Sequence, residues 1–359
     1  MTHASGPRAG EATAIYVFSH AGLLLARSIA PELGATLFAP QRIAEPDTTP
    51  FSSIHTLLAE TYAGHTRHVF IGAAGIAVRA VAPHLRGKDS DPAVAVLDQA
   101  AHFAISLVSG HMGGANALAR ELARLTGATA VITTATDVAG LPAVDQLAVE
   151  RDMIVVNLPA AKAVSAALLE GTPVQCYDPE HRLLGGISTK VAESELFVPT
   201  QPEDWDPAHP GVWCHWRTGG EHPATFRVYP RCLCLGLGCR KGAEEREILA
   251  HIRSVFARDG LALQSIGRVG TASIKREDTG LCTAMASLGA EVVFLEAEAL
   301  AAVEAAGQSE TVRRRVGTGS VCEAAALLLA DQDTLLIPKT KTERVTLAVA
   351  LSTDKRSWK

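Results

Sequence analysis

The sequence predicts an α/β protein, two strand-turn-helix α/β domains with a smaller mixed middle region, and three observations carry that prediction. Apolar runs of strand length alternate with amphipathic or alanine-rich runs of helix length over 1–149 and again over 229–359. Small residues, glycine above all, stand where a strand run gives way to a helix run, as in FIGAAGIAVR, SGHMGGANALA and LGLGCRKGAEE. Between them, over 150–228, the alternation breaks and Trp, Pro and His collect, which marks a middle region and linker.

Taken in order, AIYVFSHAGLLLARSIAPELGATLFAP predicts a strand, a turn at Ser19 to Gly22, a helix through Leu24, Ile29 and Leu33, and a second strand. In HVFIGAAGIAVRAVAPHL a buried strand ends at Gly72, and a helix starts near Ile76 and stops before Pro83. AVAVLDQAAHFAISLVSG reads as a hairpin about a polar centre. The helix ANALARELARLTG ends at Gly127 and leads into a strand, AVITTATD. The middle region holds MIVVNLP, a short helix KAVSAALLEG, and an excursion that Trp205, Trp213 and Trp216 would pack down. The strand-turn-helix order resumes with RCLCLGLGCRKG and AEEREILAHIRSVFARDG. SIGRVGTASIKRED, GLCTAMASLG, VVFLEAEALAAV and SVCEAAALLLA follow, and TLLIPKTKTERVTLAVAL closes the chain as a hairpin.

A chain of 359 residues is too long for one small core, and 47% apolar, 20% charged and 5% aromatic residues describe an aliphatic α/β interior. A formal net charge of -5 argues against a general nucleic-acid binder, so any anionic ligand must meet a local basic patch. No run approaches the roughly 18 apolar residues of a membrane span, so no membrane association is expected. The opening MTHASGPRAGEATA reads as a small-residue leader, and with seven irregularly spaced cysteines the expectation is a cytoplasmic protein with reduced thiols. Cys232 and Cys234 would share one face of a strand as small hydrophobes. With no second Cys/His pair at a zinc-like spacing, no metal site is expected.

Helix starts after glycine turns leave backbone N–H groups free for phosphate or carboxylate, and Gly75, Gly113, Gly114 and Gly238 stand at such places. The same glycines also serve a plain tight turn. LGLGCRKG lacks the ending of a P-loop, and no nucleophile-elbow motif occurs. His111 falls between an apolar strand and a helix, a turn that in open α/β sheets lies at the carboxyl edge; there an imidazole can move protons near neutral pH. By itself the motif fits a structural turn equally well. Asn116 could cap, hold the histidine or bind a carbonyl. Asp91, Asp98, Asp137, Asp145 and Glu323 are the candidate acids, and Asp137 is expected at the same edge as His111. Arg79, Arg86, Lys88, Arg240, Lys241, Lys275, Arg276, Lys339 and Lys341 gather at turns, a pattern suited to a compact ligand with several carboxylates or phosphates.

The ordered series GAAGIAVRAVAPHLRGKDSDPAVAVLD, FAISLVSGHMGGANALARELA, AVITTATDV, LGLGCRKG, SIKREDTGL, GSVCEAAALLLA and IPKTKTERVTLAVA resembles the cobalt-precorrin-5A hydrolase family of anaerobic cobalamin biosynthesis. The last domain also resembles a stand-alone protein associated with aerobic cobalamin synthesis. The resemblance implies a hydrolase that opens the δ-lactone of cobalt-precorrin-5A and releases acetaldehyde to give cobalt-precorrin-5B. It also implies that cobalt arrives with the substrate, so no cofactor is expected. For that reaction His111 is the expected base and Asp137 its orienting acid, while Asn116 and the amides of Gly113 and Gly114 cradle a carboxylate or oxyanion. Gly75, Arg79, Gly238, Arg240, Lys241, Lys275, Ser320, Glu323 and Lys339 are the expected substrate contacts, with Glu323 and Lys275 as further candidates for chemistry. A homodimer and transient contact with other corrin-pathway enzymes are the expected associations. A non-catalytic corrinoid carrier or scaffold would use the same basic turns, and a phosphate-binding enzyme of unrelated pathway rests on LGLGCRKG alone.

Overall fold

The computed structural model describes residues 12–87, 90–187, 195–306 and 320–353. Lys88 and most of the small-residue leader lie outside the described residues. The chain divides into two compact units, 1–146 and 147–359.

The first unit is built on a seven-stranded sheet. Its strands are β1 (Thr13–Val17), β2 (Ala35–Pro40), β3 (Thr49–Phe51), β4 (Arg67–Ile71), β5 (Ala93–Leu97), β6 (Phe103–Val108) and β7 (Thr129–Val131), in the order β3-β2-β1-β4-β5-β6-β7. Strands β1, β4 and β5 are buried along their whole length, which is why they read as unbroken apolar runs. Ile15, Val17, Val69 and Ile71 pack on α1 (His20–Leu33), with Leu118 and Leu122 of α4 (Ala115–Thr126) in the same cluster. Tyr16, Phe70, Val94 and Val96 fill the other face with α2 (Ile54–Thr61) and α3 (Ala74–Val81). Fully burying a leucine such as Leu118 or Leu122 contributes about 2 kcal/mol. Ser19 caps α1 through its hydroxyl, so the helix starts at His20 and the expected turn residue Gly22 lies inside it. Gly127, at φ 78°, ends α4 as the sequence predicts.

The hairpin between β5 and β6 decides the geometry of the unit. Asp98 accepts hydrogen bonds from Ala100 N (2.9 Å) and Phe103 N (2.6 Å), so the chain turns back at once and β6 pairs antiparallel to β5. Strands β1 to β5 are mutually parallel, whereas β6 and β7 run the other way. The turn after β6 is therefore at the carboxyl end of β6 and β7 but at the amino edge of the remaining strands. This corrects the expectation that the His111 turn lies at the carboxyl edge of the sheet as a whole, while Asp137 does share its edge.

The second unit carries two sheets. Strands β8 (Ile154–Val155), β9 (Val174–Tyr177), β10 (Phe197–Pro199), β11 (Gly211–Cys214) and β12 (Thr225–Tyr229) form one in the order β10-β9-β11-β12-β8, with β8 alone antiparallel. The tryptophans pack the excursion down as expected: Trp205 meets Trp213 edge-on at 5.4 Å, and Trp216 enters the core of the following sheet. That sheet contains β13 (Leu233–Cys239), β14 (Ile266–Ala272), β15 (Glu291–Leu295), β16 (Leu335–Lys341) and β17 (Val345–Leu351), ordered β15-β14-β13-β17-β16. Its helix at Val321–Ala330 is buried on nearly every side and lies directly on β13. A Cβ on Gly236 would stand 1.8 Å from the Cys322 carbonyl oxygen. The glycines of LGLGC thus sit within a strand, where Gly236 admits a helix backbone, rather than in a strand-to-helix turn. A register shift between Leu233 and Cys234 also separates the two cysteines expected on one face: Cys232 joins the core with Leu233 and Leu235, and Cys234 packs with Cys322 and Ala326. All seven cysteines are free thiols.

Candidate active site

The segment 109–119 forms a tight connection whose small residues have steric causes. Ser109 has φ 59°, uncommon for a residue with a side chain, and turns the chain sharply out of β6. A Cβ on Gly113 would lie 2.4 Å from the Ser109 Cβ and 2.8 Å from the Asp91 carbonyl oxygen, so nothing larger fits there. Gly114, at φ 85°, precedes α4 and donates its N–H to the His111 carbonyl oxygen (2.9 Å). That amide is committed to the turn. Of the two amides expected to cradle an anion, Gly113 alone keeps its donor among the described residues.

The turn aims His111 at two carboxylates. Its Nε2 lies 3.2 Å from Asp137 Oδ2 and 3.3 Å from the Thr136 hydroxyl, and its Nδ1 lies 3.5 Å from Asp145 Oδ1. Asp137 and Thr136 come from the short helix α5 (Ala135–Ala139), because the strand expected over AVITTATD ends at Val131 and a helical turn follows. Asp145 comes from the first turn of α6 (Val144–Glu150). The side chains of His111, Asp137 and Asp145 are 16%, 15% and 9% exposed, so the trio is largely shielded from water without being sealed.

Asn116 does not face a ligand. At 1% exposure it accepts from the Ser106 hydroxyl (2.7 Å) and donates to Thr134 Oγ1 (3.0 Å) and Asp137 Oδ2 (2.9 Å). Its amide is fully spent inside the protein, which corrects the expectation that it binds a carbonyl and leaves it the part of positioning Asp137. Arg120, one helical turn beyond Asn116, donates to Asp137 Oδ1 at 2.5 Å. The sequence reading passed over Arg120, Ser106, Thr134 and Thr136; the Asn116/Arg120 spacing of four on one helix was the available signal for the first of them.

The electrostatics follow from these contacts. The neighbouring Asp145 carboxylate, with Asp137 behind it, raises the His111 pKa above the ordinary 6.5 despite the opposing cost of burial. Burial pushes the Asp145 carboxyl up, yet the His111 contact and backbone N–H groups at the start of α6 leave it below the usual 3.8. The His111 to Asp145 contact is an ion pair rather than an aligned hydrogen bond, since Asp145 Oδ1 is buried with no hydrogen-bond partner. This trio favours the protonated imidazole more than water does, and it leaves one ring nitrogen to exchange the proton.

The other expected contacts fall elsewhere. Gly75 and Arg79 lie together and exposed on α3, at the carboxyl edge of β4 and hence the opposite edge from His111. They do not join the His111 site. In the second unit the carboxyl edge of β13, β14 and β16 gathers most of the rest. Lys275 pairs with Asp278 (3.4 Å), which also accepts a long contact from the Cys239 thiol (3.7 Å). Arg240, Lys241 and Lys339 are exposed. Gly238 is held in the sheet opposite Thr346. Glu323, 4% exposed, accepts from the backbone N–H of Lys339 (3.0 Å), and Ser320 contacts the Cys322 thiol (3.1 Å) at the start of the same helix. Glu323 therefore anchors a strand instead of presenting its carboxylate. Among the described residues no group of three or more His, Cys, Asp or Glu side chains is arranged to hold a metal, and no helix is long and apolar enough to cross a membrane.

Three family models tile the chain: Cobalamin synthesis G N-terminal over 56–137, Cobalamin biosynthesis central region over 142–230 and Cobalamin synthesis G C-terminus over 233–350. A protein of Salmonella typhimurium named cobalt-precorrin-5A hydrolase is 32% identical over 354 residues, covering 95% of this chain and 98% of that one. The chain belongs to the cobalt-precorrin-5A hydrolase family. A second relative so named, from Priestia megaterium, is 29% identical over 83% of this chain and 82% of its own. Among solved structures, a putative cobalamin biosynthesis protein G homolog from Sulfolobus solfataricus matches 95% of this chain and 97% of its own at 21% identity and a TM-score of 0.36. In this family member the first model spans α2 to Asp137, and so contains the 109–119 turn and one of the two carboxylates beside His111.

Proposed function

We propose that this family member is a cobalt-precorrin-5A hydrolase, which opens the δ-lactone of its substrate and expels the two-carbon unit as acetaldehyde, leaving cobalt-precorrin-5B. The observation that carries the reading is full-length identity of 32% with a relative bearing that name. The substrate is a flat macrocycle edged with carboxylates and carries its own cobalt, so the proposal assigns the protein no resident cofactor. Its apolar faces and acidic rim suit cations spaced along one sheet edge, and Arg240, Lys241, Lys275 and Lys339 are proposed as rim contacts. Seven free thiols support a cytoplasmic, reducing location.

The proposed chemistry turns on one oxygen. In a δ-lactone that later yields acetaldehyde, the ring oxygen sits on the carbon that leaves. Water adds to the lactone carbonyl, and the C–O bond breaks as His111, protonated beside its two carboxylates, gives its proton to the departing oxygen. A free carboxylate and a hydroxyl result, and both protons of the attacking water pass to solvent. The now neutral imidazole takes the hydroxyl proton back while the carbon-carbon bond breaks. The oxygen becomes the carbonyl of acetaldehyde, and the electron pair left on the macrocycle collects a proton. His111 is thus acid in the first half and base in the second. The Gly113 N–H is the proposed donor to the lactone oxyanion.

The test is anaerobic incubation of the purified chain with enzymatically prepared cobalt-precorrin-5A, trapping acetaldehyde and following the macrocycle's mass. Acetaldehyde released in step with loss of the lactone is expected. Tight binding without release over many enzyme equivalents would instead indicate a corrinoid carrier.

A further inference from the structure

The two acids that flank His111 differ in how much of their charge reaches it. Asp137 is compensated: Arg120 occupies Oδ1 at 2.5 Å, and Oδ2 already accepts from Asn116 at 2.9 Å before it meets His111. Asp145 has neither aid. Its side chain is 9% exposed, Oδ1 has no hydrogen bond, and among the described residues no cationic side chain except His111 lies within ion-pair distance. A buried carboxylate without a cation is costly, so the imidazolium, together with the backbone N–H groups at the start of α6, is what makes this ion tolerable. We propose that Asp145, and not Asp137, is the positioning residue of the site: it anchors the imidazole through Nδ1 and leaves Nε2 as the nitrogen that exchanges protons with the substrate.

The geometry at Nε2 supports the division of labour. Its acceptors are the Thr136 hydroxyl at 3.3 Å and an Asp137 oxygen already engaged by Asn116, so a substrate oxygen can displace the weaker contact without stranding a charge. Displacing Asp145 from Nδ1 would strand one. Among the described residues, the charged and polar groups facing the ring are Asp137 and Thr136 from α5 and Asp145 from α6, with Arg120 and Asn116 from α4 acting through Asp137. The inference depends on the proposed hydrolysis only for its kinetic consequence.

The experiment is a pH titration of the His111 imidazole by NMR on the full chain, assigned by its absence in His111→Ala. Asp145→Asn should lower the His111 midpoint by about one unit or more, tenfold in proton affinity, and Asp137→Asn by clearly less. Arg120→Gln, at a half-exposed side chain, should raise the midpoint by uncovering the charge of Asp137. A larger shift in Asp137→Asn than in Asp145→Asn overturns the proposal. If Asp145→Asn does not fold, Arg120→Gln decides: a midpoint that stays put or falls overturns it. In turnover, the pH above which activity declines should move down in Asp145→Asn with the midpoint. A midpoint that moves while that pH limit stays fixed upholds the role of Asp145 and removes His111 from the proposed chemistry instead.

Discussion

His111 and Asp137 stand 26 positions apart in the chain and meet at 3.2 Å because β6 and β7 run side by side in the same direction and end at the same edge. The intervening α4 does more than join them, since its first and second turns supply Asn116 and Arg120, which hold Asp137 from behind. The β6-α4-β7 unit thereby supplies His111, Asn116 and Arg120, while α5 and α6 add the two carboxylates.

Replacement of His111 by alanine should reduce acetaldehyde release by about 10² or more, and it should also lower the thermal midpoint at pH values where the imidazole is charged, because the buried Asp145 carboxylate loses its cation. Turnover within threefold of the parent chain, in a protein shown by circular dichroism to be folded, would remove His111 from the mechanism.

Asn116→Ala should also cost stability. Its side chain is buried and makes three part-buried hydrogen bonds, so removing it leaves the Ser106 hydroxyl without its partner and opens a cavity beside Asp137, at a cost of about 2 to 4 kcal/mol. Denaturant unfolding measures the loss, and a cost under about 0.5 kcal/mol, the level of a surface change, would show that the network is not holding the site.

Stability should vary with pH in a defined sense. The folded-state pKa of His111 is raised, so its contribution is fully present below the unfolded value of about 6.5 and is lost as pH rises through the higher folded value. The folded-state pKa of Asp145 is depressed, so its contribution is present above its unfolded value of about 3.9 and is lost as pH falls through the lower folded value. Between those limits the pair is at full strength. Thermal melts of the parent chain against His111→Ala should converge as pH rises above neutrality, and a gap that widens there contradicts this sign.

Gly236→Ala should destabilise the last domain by about 3 kcal/mol or more, since its Cβ would meet the Cys322 carbonyl oxygen at 1.8 Å. Gly64→Ala, with no atom within 4 Å of the added carbon, should stay within about 0.5 kcal/mol. Equal midpoints for the two variants in denaturant would refute the close approach of the helix at Val321–Ala330.

Arg79→Gln should leave kcat within about threefold of the parent chain. Its position at the sheet edge opposite His111 separates it from the reacting atoms by the length of a five-residue strand, about 17 Å. A tenfold or larger loss of kcat at saturating substrate would show that both edges serve one chemical step.

Much of this protein follows from local rules that a sequence carries in full. Alternation and run length predict β1, β4 and β5 because buried parallel strands must be continuously apolar. Gly127 predicts the end of α4 because left-handed backbone favours glycine, and the 98–102 link predicts a hairpin because so short a connection cannot cross over. The His111 turn and the acid at Asp137 were legible for the same reason, since both follow a strand. What only the tertiary structure decided are the relations that depend on strand direction and register. Reversal of β6 sends Gly75 and Arg79 to the far edge, although their motif looks much like that of His111. Burial turns Asn116 inward, and the Cys322 carbonyl explains a glycine that sequence alone reads as a turn. Asp145 reaches His111 across 34 positions through no repeating pattern, because an ion pair is set by where two surfaces pack and leaves no periodic mark on either segment.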